Sequence, residues 1–353
     1  MKNAAVRHHL FWKLGTEMGR TLTLVFAAGF LTVSAYAQSP PKPEEKTVKF
    51  EVVARPINGF DLRDPLRQEF GALEFRGGIE IVSNQQGFGG FSGLRISPDG
   101  TRFISISDRG RWLRGKIVYE GTRPSRISEL ELAPMLGANG LPLALQGWFD
   151  TESLAEDGGI LYVGIERVNQ IVRFNYGRDG LLARGEPIAV PPEIKTLPYN
   201  RGLEALVFVP RDKPLGGTLI AISERGLDEN GNILGFLIGG PSPGKFAFTY
   251  SNDFDITDAA LTPEGDLLIL ERSFSLLRGV GMRIRRVPLT QIKPGAVIEG
   301  SVVFEADRNY NLDNMEALSV HRGPAGETVL TLLSDDNFNP LQRTLLLQFT
   351  LAR

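Results

Sequence analysis

Most of this chain is built from one unit repeated five times. The copies are FSGLRISPDGTRFISISDRG at 91–110, DTESLAEDGGILYVGIERV at 150–168, GLEALVFVPRDKPLGGTLIAISERG at 202–226, ITDAALTPEGDLLILERS at 256–273 and NMEALSVHRGPAGETVLTLLSDDN at 314–337. Each opens with a polar or acidic residue two places before a small or apolar one, runs as a short strand, and turns at Gly, Pro or Asp. It then closes in an apolar strand capped by Asp or Glu. The opening residues Ser92, Glu152, Glu204, Asp258 and Glu316 are 60, 52, 54 and 58 positions apart. That is slightly longer than the repeat of a four-stranded propeller blade.

From Phe50 onward, short runs of Val, Ile, Leu and Phe alternate with Gly, Pro, Asp and Asn, and little helical periodicity is sustained. This is an all-β pattern, and its period points to a β-propeller. Six blades is the first reading, the sixth assembled from strands at 48–55 and 73–83 and completed by 344–351. Five blades is the alternative. Closure by strands from both ends would tie the termini together and remove an open edge. A pair of β-sandwiches would leave the regular spacing unexplained.

The repeat also predicts where polar chemistry gathers. In an antiparallel hairpin the start of the first strand and the end of the second lie at one end. Stacking around an axis therefore brings Glu152, Glu204, Asp258 and Glu316 to the same face as Asp108, Glu166, Glu224, Glu271 and Asp335. Arg109, Arg167, Arg225 and Arg272 directly follow four of the second group. So many carboxylates repel one another unless cations offset them. Oxygen-only ligation suits a hard ion such as Ca²⁺ or Mg²⁺, and arginine forks suit phosphate or carboxylate. The alternative for any single Asp/Glu-Arg pair is a salt bridge between blades. In the last repeat, Asp335, Asp336, Asn337 and Asn339 form either a metal-facing segment or an Asx-rich turn.

Residues 1–37 read as a secretory signal: Lys2, Arg7, Lys13 and Arg20 precede an uncharged apolar run from Thr21 to Val33, followed by Ala35-Tyr36-Ala37. Either Met1 or Met18 serves as the start. The apolar run falls short of the about 20 residues that span a bilayer. The expectation is export to the periplasm or the extracellular space, with 38–46 a flexible lead and 47–353 the folded domain. The whole chain carries a formal charge of −2, and losing four basic residues and one acid with the signal leaves −5. No basic excess exists for a nucleic-acid backbone. With no cysteine, thiol catalysis and cysteine ligation are excluded.

Other motifs carry less. His321 is the one histidine beyond the signal, which excludes multi-histidine zinc sites, and it is expected at the surface beside a turn. Gly240-Pro241-Ser242-Pro243-Gly244 matches the nucleophile-elbow string, but its prolines describe a turn. Residues 307–313 begin like a calcium loop, yet Leu312 and Leu318 stand where the glycine and the final glutamate belong.

FSGLRISPDG with SDRG, ESLA with ER, LEAL with SERG, and MEALSV with LSDDNFNPLQRTLLLQF resemble the phytase-like family, "esterase-like activity of phytase", over nearly the whole mature chain. The resemblance implies an exported propeller that hydrolyses phosphate or other esters. Combined with the repeat, it makes Glu204, Glu152 and Glu316 the candidate catalytic residues. Arg109, Arg167, Arg225, Arg272 and Ser92 become candidates for binding a small anionic ester. Asp108, Glu224, Asp258, Glu271, Asp335 and Asp336 are candidate ligands of a divalent cation, calcium before magnesium. The alternatives are a propeller that binds a ligand or envelope partner without turnover, and a lactonase-like hydrolase.

Overall fold

The computed structural model describes residues 46–251 and 254–352, so the expected signal and most of the lead lie outside the described residues. No helix among the described residues is long and apolar enough to cross a membrane.

Among the described residues five sheets, not six, surround the axis. Their innermost strands are Phe91–Ile96, Thr151–Asp157, Leu203–Phe208, Asp255–Leu261 and Asn314–Arg322, one from each repeat, and define blades 1 to 5. Each packs against its two neighbours, the fifth against the first, so the ring is closed. The strands assigned to a sixth blade are instead shared. Val48–Phe50 pairs with Arg123–Pro134 at the outer edge of blade 1. Val53–Ile57 and Leu73–Val82 complete blade 5, where Leu73–Val82 pairs antiparallel with the C-terminal strand Thr344–Leu351. Closure by both ends of the chain is thus present, but it finishes the fifth blade. The last repeat supplies only three strands of its own before the chain ends, and the N-terminal strands cover its edge.

Near-continuous apolar strands such as Leu267–Leu270 follow from this stacking, because a blade is buried on both faces. Five apolar cores fill the five gaps between neighbouring blades. Gly240–Gly244 is the expected turn, joining two antiparallel strands of blade 3. His321, expected at the surface, is buried on the inner strand of blade 5, where lost hydration pushes its imidazole down to about 4.

One detail of register recurs in every blade. The pairing of inner and second strand skips one residue near the start of the inner strand: Gly93, Glu152, Glu204, Thr257 and Glu316. Such a bulge leaves the skipped residue unpaired and re-aims its side chain. In blade 1 that residue has φ +56°, and a Cβ there would lie 2.8 Å from Leu154 Cβ, so glycine is required. Ser92 and Asp258 are therefore one residue out of step with the three glutamates.

Below the bulges the axis is filled by Arg95. Its guanidinium donates to the carbonyls of Leu94, Leu154, Leu206 (2.8 Å) and Leu318 (3.3 Å). It lies 3.5 Å from the Asp258 carboxylate, so one side chain touches all five blades. Asp258 also accepts from the amides of Ala259 and Leu318, each at 2.8 Å. We expect Arg95→Met to strip a fully buried carboxylate of its cation at a cost of about 3–5 kcal/mol, lowering the melting temperature by roughly 10 °C. Arg102→Met, which removes an exposed pair with Glu129, serves as the control, and equal melting shifts in calorimetry would refute the axial role.

Candidate functional site

At one mouth of the channel the three bulge glutamates converge. Glu204 and Glu316 are buried, and Glu152 accepts a hydrogen bond from Ser92 Oγ at 2.7 Å. The second-strand ends join them through matching backbone bonds: Asp108 N to Gly90 O, Glu166 N to Asp150 O, and Glu224 N to Gly202 O, all at 2.8–2.9 Å. Asp335, paired in register with Asn314, closes the set from blade 5. Glu152, Glu204 and Glu316 thus share one rim, although more than fifty residues separate each from the next.

The electrostatics follow from that crowding. Burial, then the charges of Asp150, Glu166 and Asp108, pushes Glu152 well above the ordinary carboxylate range. Glu204 is raised likewise by burial and by Glu152, Glu166, Glu224 and Glu316. Glu166 reaches about 7 through burial, although its carboxylate accepts the Gly202 amide at 2.6 Å. Glu316 also reaches about 7, because burial outweighs the nearby Arg272. Asp335 is pushed well up by burial, with Asp108 and Glu316 adding to it.

The Arg272 guanidinium is built into this ring. Arg272 lies 3.0 Å from Glu316 and 3.3 Å from Glu224, and donates to Asn314 at 3.1 Å. Across the mouth, in blade 2, one carboxylate oxygen from each of Asp150, Glu152 and Glu166 can be drawn within 4.8 Å of the others. At that separation two unit charges repel by about 3–4 kcal/mol even at an effective dielectric of about 20. Donors no farther apart than twice a calcium–oxygen distance of about 2.4 Å fit around a single hard cation. Asp150 itself adopts φ +65°, a conformation blade 1 gives to Gly90 at +62°. A strained non-glycine residue at a charged mouth is the kind of outlier that marks function.

The remaining expected site residues are placed as follows. Asp258 faces Arg95 on the axis below the rim, for the register reason given above. Glu271 is fully buried inside blade 4, bound by Arg283 at 2.6 Å and Arg285 at 2.5 Å, so its charge is already matched. Asp336 accepts the amides of Gly90 and Phe338 and the Thr344 hydroxyl, which makes it an anchor of the Asx-rich turn. Asp335 also takes part in that turn, accepting Asn337 N at 2.7 Å, yet its carboxyl lies beside Asp108 and Glu316. Arg225 places its fork on Asp255 at 2.5 and 2.6 Å, stapling blade 3 to blade 4 rather than pairing with Glu204. Arg109 stacks 3.5 Å from the Phe338 ring centroid. Exposed Arg167 lies between Phe149 and Tyr199 and donates to the Tyr199 hydroxyl at 2.6 Å. Asp150 was missing from the repeat-based set. Its only signal in the sequence is a second carboxylate two places before Glu152.

The family model described as Phytase-like, esterase-like activity of phytase, matches residues 86–338, which cover the rim and all five inner strands. The chain belongs to this family. No curated protein matches its sequence. Among solved structures it is similar to the glutaminyl cyclase of Myxococcus xanthus, at 10% identity and a TM-score of 0.42 over 80% of this chain and 97% of that one. It is also similar to an endo-arabinase from Bacteroides thetaiotaomicron, at 12% identity and 0.43 over 74% and 94%. A gluconolactonase from Xanthomonas campestris matches at 11% identity and 0.43 over 86% and 100%. At these scores the likenesses say nothing about the chemistry of the phytase-like chain.

Glu166 and Glu316 titrate near 7 when folded and near 4.5 when unfolded, so their contribution to stability is fully present below the unfolded value. It is lost as the pH rises through the folded value. For the phytase-like protein treated with chelator, we expect the melting temperature to fall between pH 5 and pH 8, a loss on the order of a few kcal/mol. Added calcium should restore more stability at pH 8 than at pH 5. A calcium effect independent of pH, measured by differential scanning fluorimetry, would show that the ion binds away from these carboxylates.

Proposed function

We propose that this protein is an exported hydrolase of phosphomonoesters that works with a divalent cation, calcium in preference to magnesium, at the blade 2 side of the rim. The observation that carries this reading is the triad Asp150, Glu152 and Glu166, whose carboxylate oxygens lie within 4.8 Å of one another, with exposed Arg167 acting on Asp150 from beside them. They would hold the ion. Bound there, it would lower the pKa of a water molecule and offset charge developing on the substrate oxygens. Arg272 is held by Glu316 and Glu224 with its charge strongly stabilised, so it would present a fixed positive group to an anionic ester. Arg109 and Arg167, oriented by aromatic rings, would steer the same group.

Glu204, whose affinity for a proton is raised by burial and by four other carboxylates, would act as the general base once it is ionised. In hydrolysis the water oxygen bonds to phosphorus, Glu204 takes the water's proton, and the phosphorus–oxygen bond to the alcohol breaks. The departing alkoxide then takes that proton back from Glu204, leaving alcohol and inorganic phosphate and returning the carboxylate to its ionised form. Purified mature protein should release phosphate from phytate or 4-nitrophenyl phosphate and lose that activity on chelation. Cation binding without turnover across a phosphate, carboxylester and lactone panel would make the rim a capture surface instead.

Glu204→Gln removes charge but keeps shape and one acceptor oxygen. It should weaken calcium binding and lower kcat at least tenfold, about 1.4 kcal/mol, while leaving the chelated protein as stable as before or more so. Asp179→Asn, in an exposed pair with Arg178, controls for the loss of one surface charge. Titration calorimetry and melting curves on both variants check this, and unchanged affinity with lowered stability would make Glu204 a structural residue.

A further inference from the structure

A cleft of about 580 Å³ opens beside Arg272, between the hairpin of blade 4 and the closing loop of blade 5. The hairpin runs past the rim: after Glu271 and Arg272 the strands stay paired through Phe274–Val280 and Ser275–Gly279. Its apolar side chains are not buried there. Phe274 is 65% exposed, Leu276 91% and Leu277 86%, while Leu62 and Leu341 on the facing walls are 54% and 89% exposed. These segments are nonetheless fixed. Arg308 donates to Leu277 O at 3.3 Å, Ser275 Oγ accepts the Leu277 amide, and Asn339 accepts the Leu341 amide at 3.0 Å. Arg308 lines the same cleft, as does Arg343 paired with Asp313 at 3.5 Å, and Arg272 belongs both to it and to the carboxylate rim.

Large apolar side chains exposed on a hydrogen-bonded backbone, interleaved with arginines and adjoining a charged mouth, suit a ligand that is apolar at one end and anionic at the other. We propose that this cleft binds the hydrocarbon portion, aryl or alkyl, of an anionic ester whose ester group reaches the rim past Arg272. The inference rests on the ester-hydrolase reading and deepens it. A wholly polar polyphosphate would leave Leu62, Phe274 and Leu341 without a partner, so the preferred substrates are amphiphilic phosphomonoesters.

The test uses 8-anilinonaphthalene-1-sulfonate, an apolar anion, as a fluorescent probe of the mature chain. It should bind at one site. Phe274→Ser with Leu341→Ser should weaken that binding about tenfold, the worth of one buried apolar contact face, and Leu182→Ser on exposed blade 2 surface should not. The same double variant should raise KM for 4-nitrophenyl phosphate by about the same factor and change kcat by less than about twofold. Probe binding that the double variant leaves intact would overturn the proposal. So would a dimer in sedimentation, or co-sedimentation with phosphatidylglycerol vesicles, that the double variant abolishes while the probe fails to bind, since a second chain or a lipid surface would then occupy the cleft. Variant-sensitive probe binding without turnover of any ester would uphold the cleft as an amphiphile site and remove the hydrolase reading alone.

Discussion

Five strand starts converging on one axis create a problem that a single cation solves. Each inner strand brings carbonyls toward the centre, where water is excluded and an unpaired acceptor is costly. Arg95 answers with a planar fork that reaches carbonyls of blades 1, 2, 3 and 5. Blade 4 departs from the pattern, supplying the Asp258 carboxylate beside the same guanidinium. The exchange makes chemical sense, because a guanidinium surrounded only by carbonyl dipoles would remain an uncompensated buried charge. A lysine could not replace it, having no planar fork to share among several blades.

Because the axial pair is close to neutral, it does nothing to offset the carboxylates one level above. There the bulge decides which residues meet. It turns Glu152, Glu204 and Glu316 into the mouth, puts glycine in that place in blade 1, and puts Thr257 there in blade 4, where its hydroxyl donates to Met315 O at 3.0 Å. The ring is therefore asymmetric in charge. Arg272 forms ion pairs with Glu316 and Glu224, whereas Asp150, Glu152 and Glu166 crowd one another with exposed Arg167 acting on Asp150.

Much of this was legible in the sequence, and the failures share a cause. The period of 52 to 60 residues identified the propeller and the strand ends that meet, including the three glutamates. Blade number was misjudged because 48–55 and 73–83 look like the start of a new unit, when the last repeat lacks its outer strands and takes them from the N-terminus. Asp258 was aligned with the glutamates because a bulge shifts pairing by one residue without leaving any mark in composition. Glu271 lay at the right strand end, but its partners Arg283 and Arg285 come from the next strand and are visible only once the sheet is formed. For the Asp/Glu-Arg dipeptides the alternative reading, a salt bridge between blades, is what the structure shows at Arg225 and Arg272, which bind acids of neighbouring blades because adjacent residues on a strand point to opposite faces.

The two sides of the mouth can then be compared as answers to the same repulsion. On the side of blades 3 to 5 the Arg272 guanidinium is fixed among the acids and keeps its charge, while Glu316 beside it still titrates at about 7. On the side of blade 2 exposed Arg167 acts on Asp150, and further balance can come from outside, by protons when the pH is low or by a cation when one is present. On the proposed reading protonation and cation binding would compete for the same oxygens, so the affinity of the triad for a divalent cation would rise with pH as Glu152 and Glu166 ionise. A substrate phosphate entering between the two sides would meet one permanent positive group and one conditional one. The dependence of turnover on pH and on calcium would then be a single dependence, because both report how the blade 2 carboxylates are neutralised.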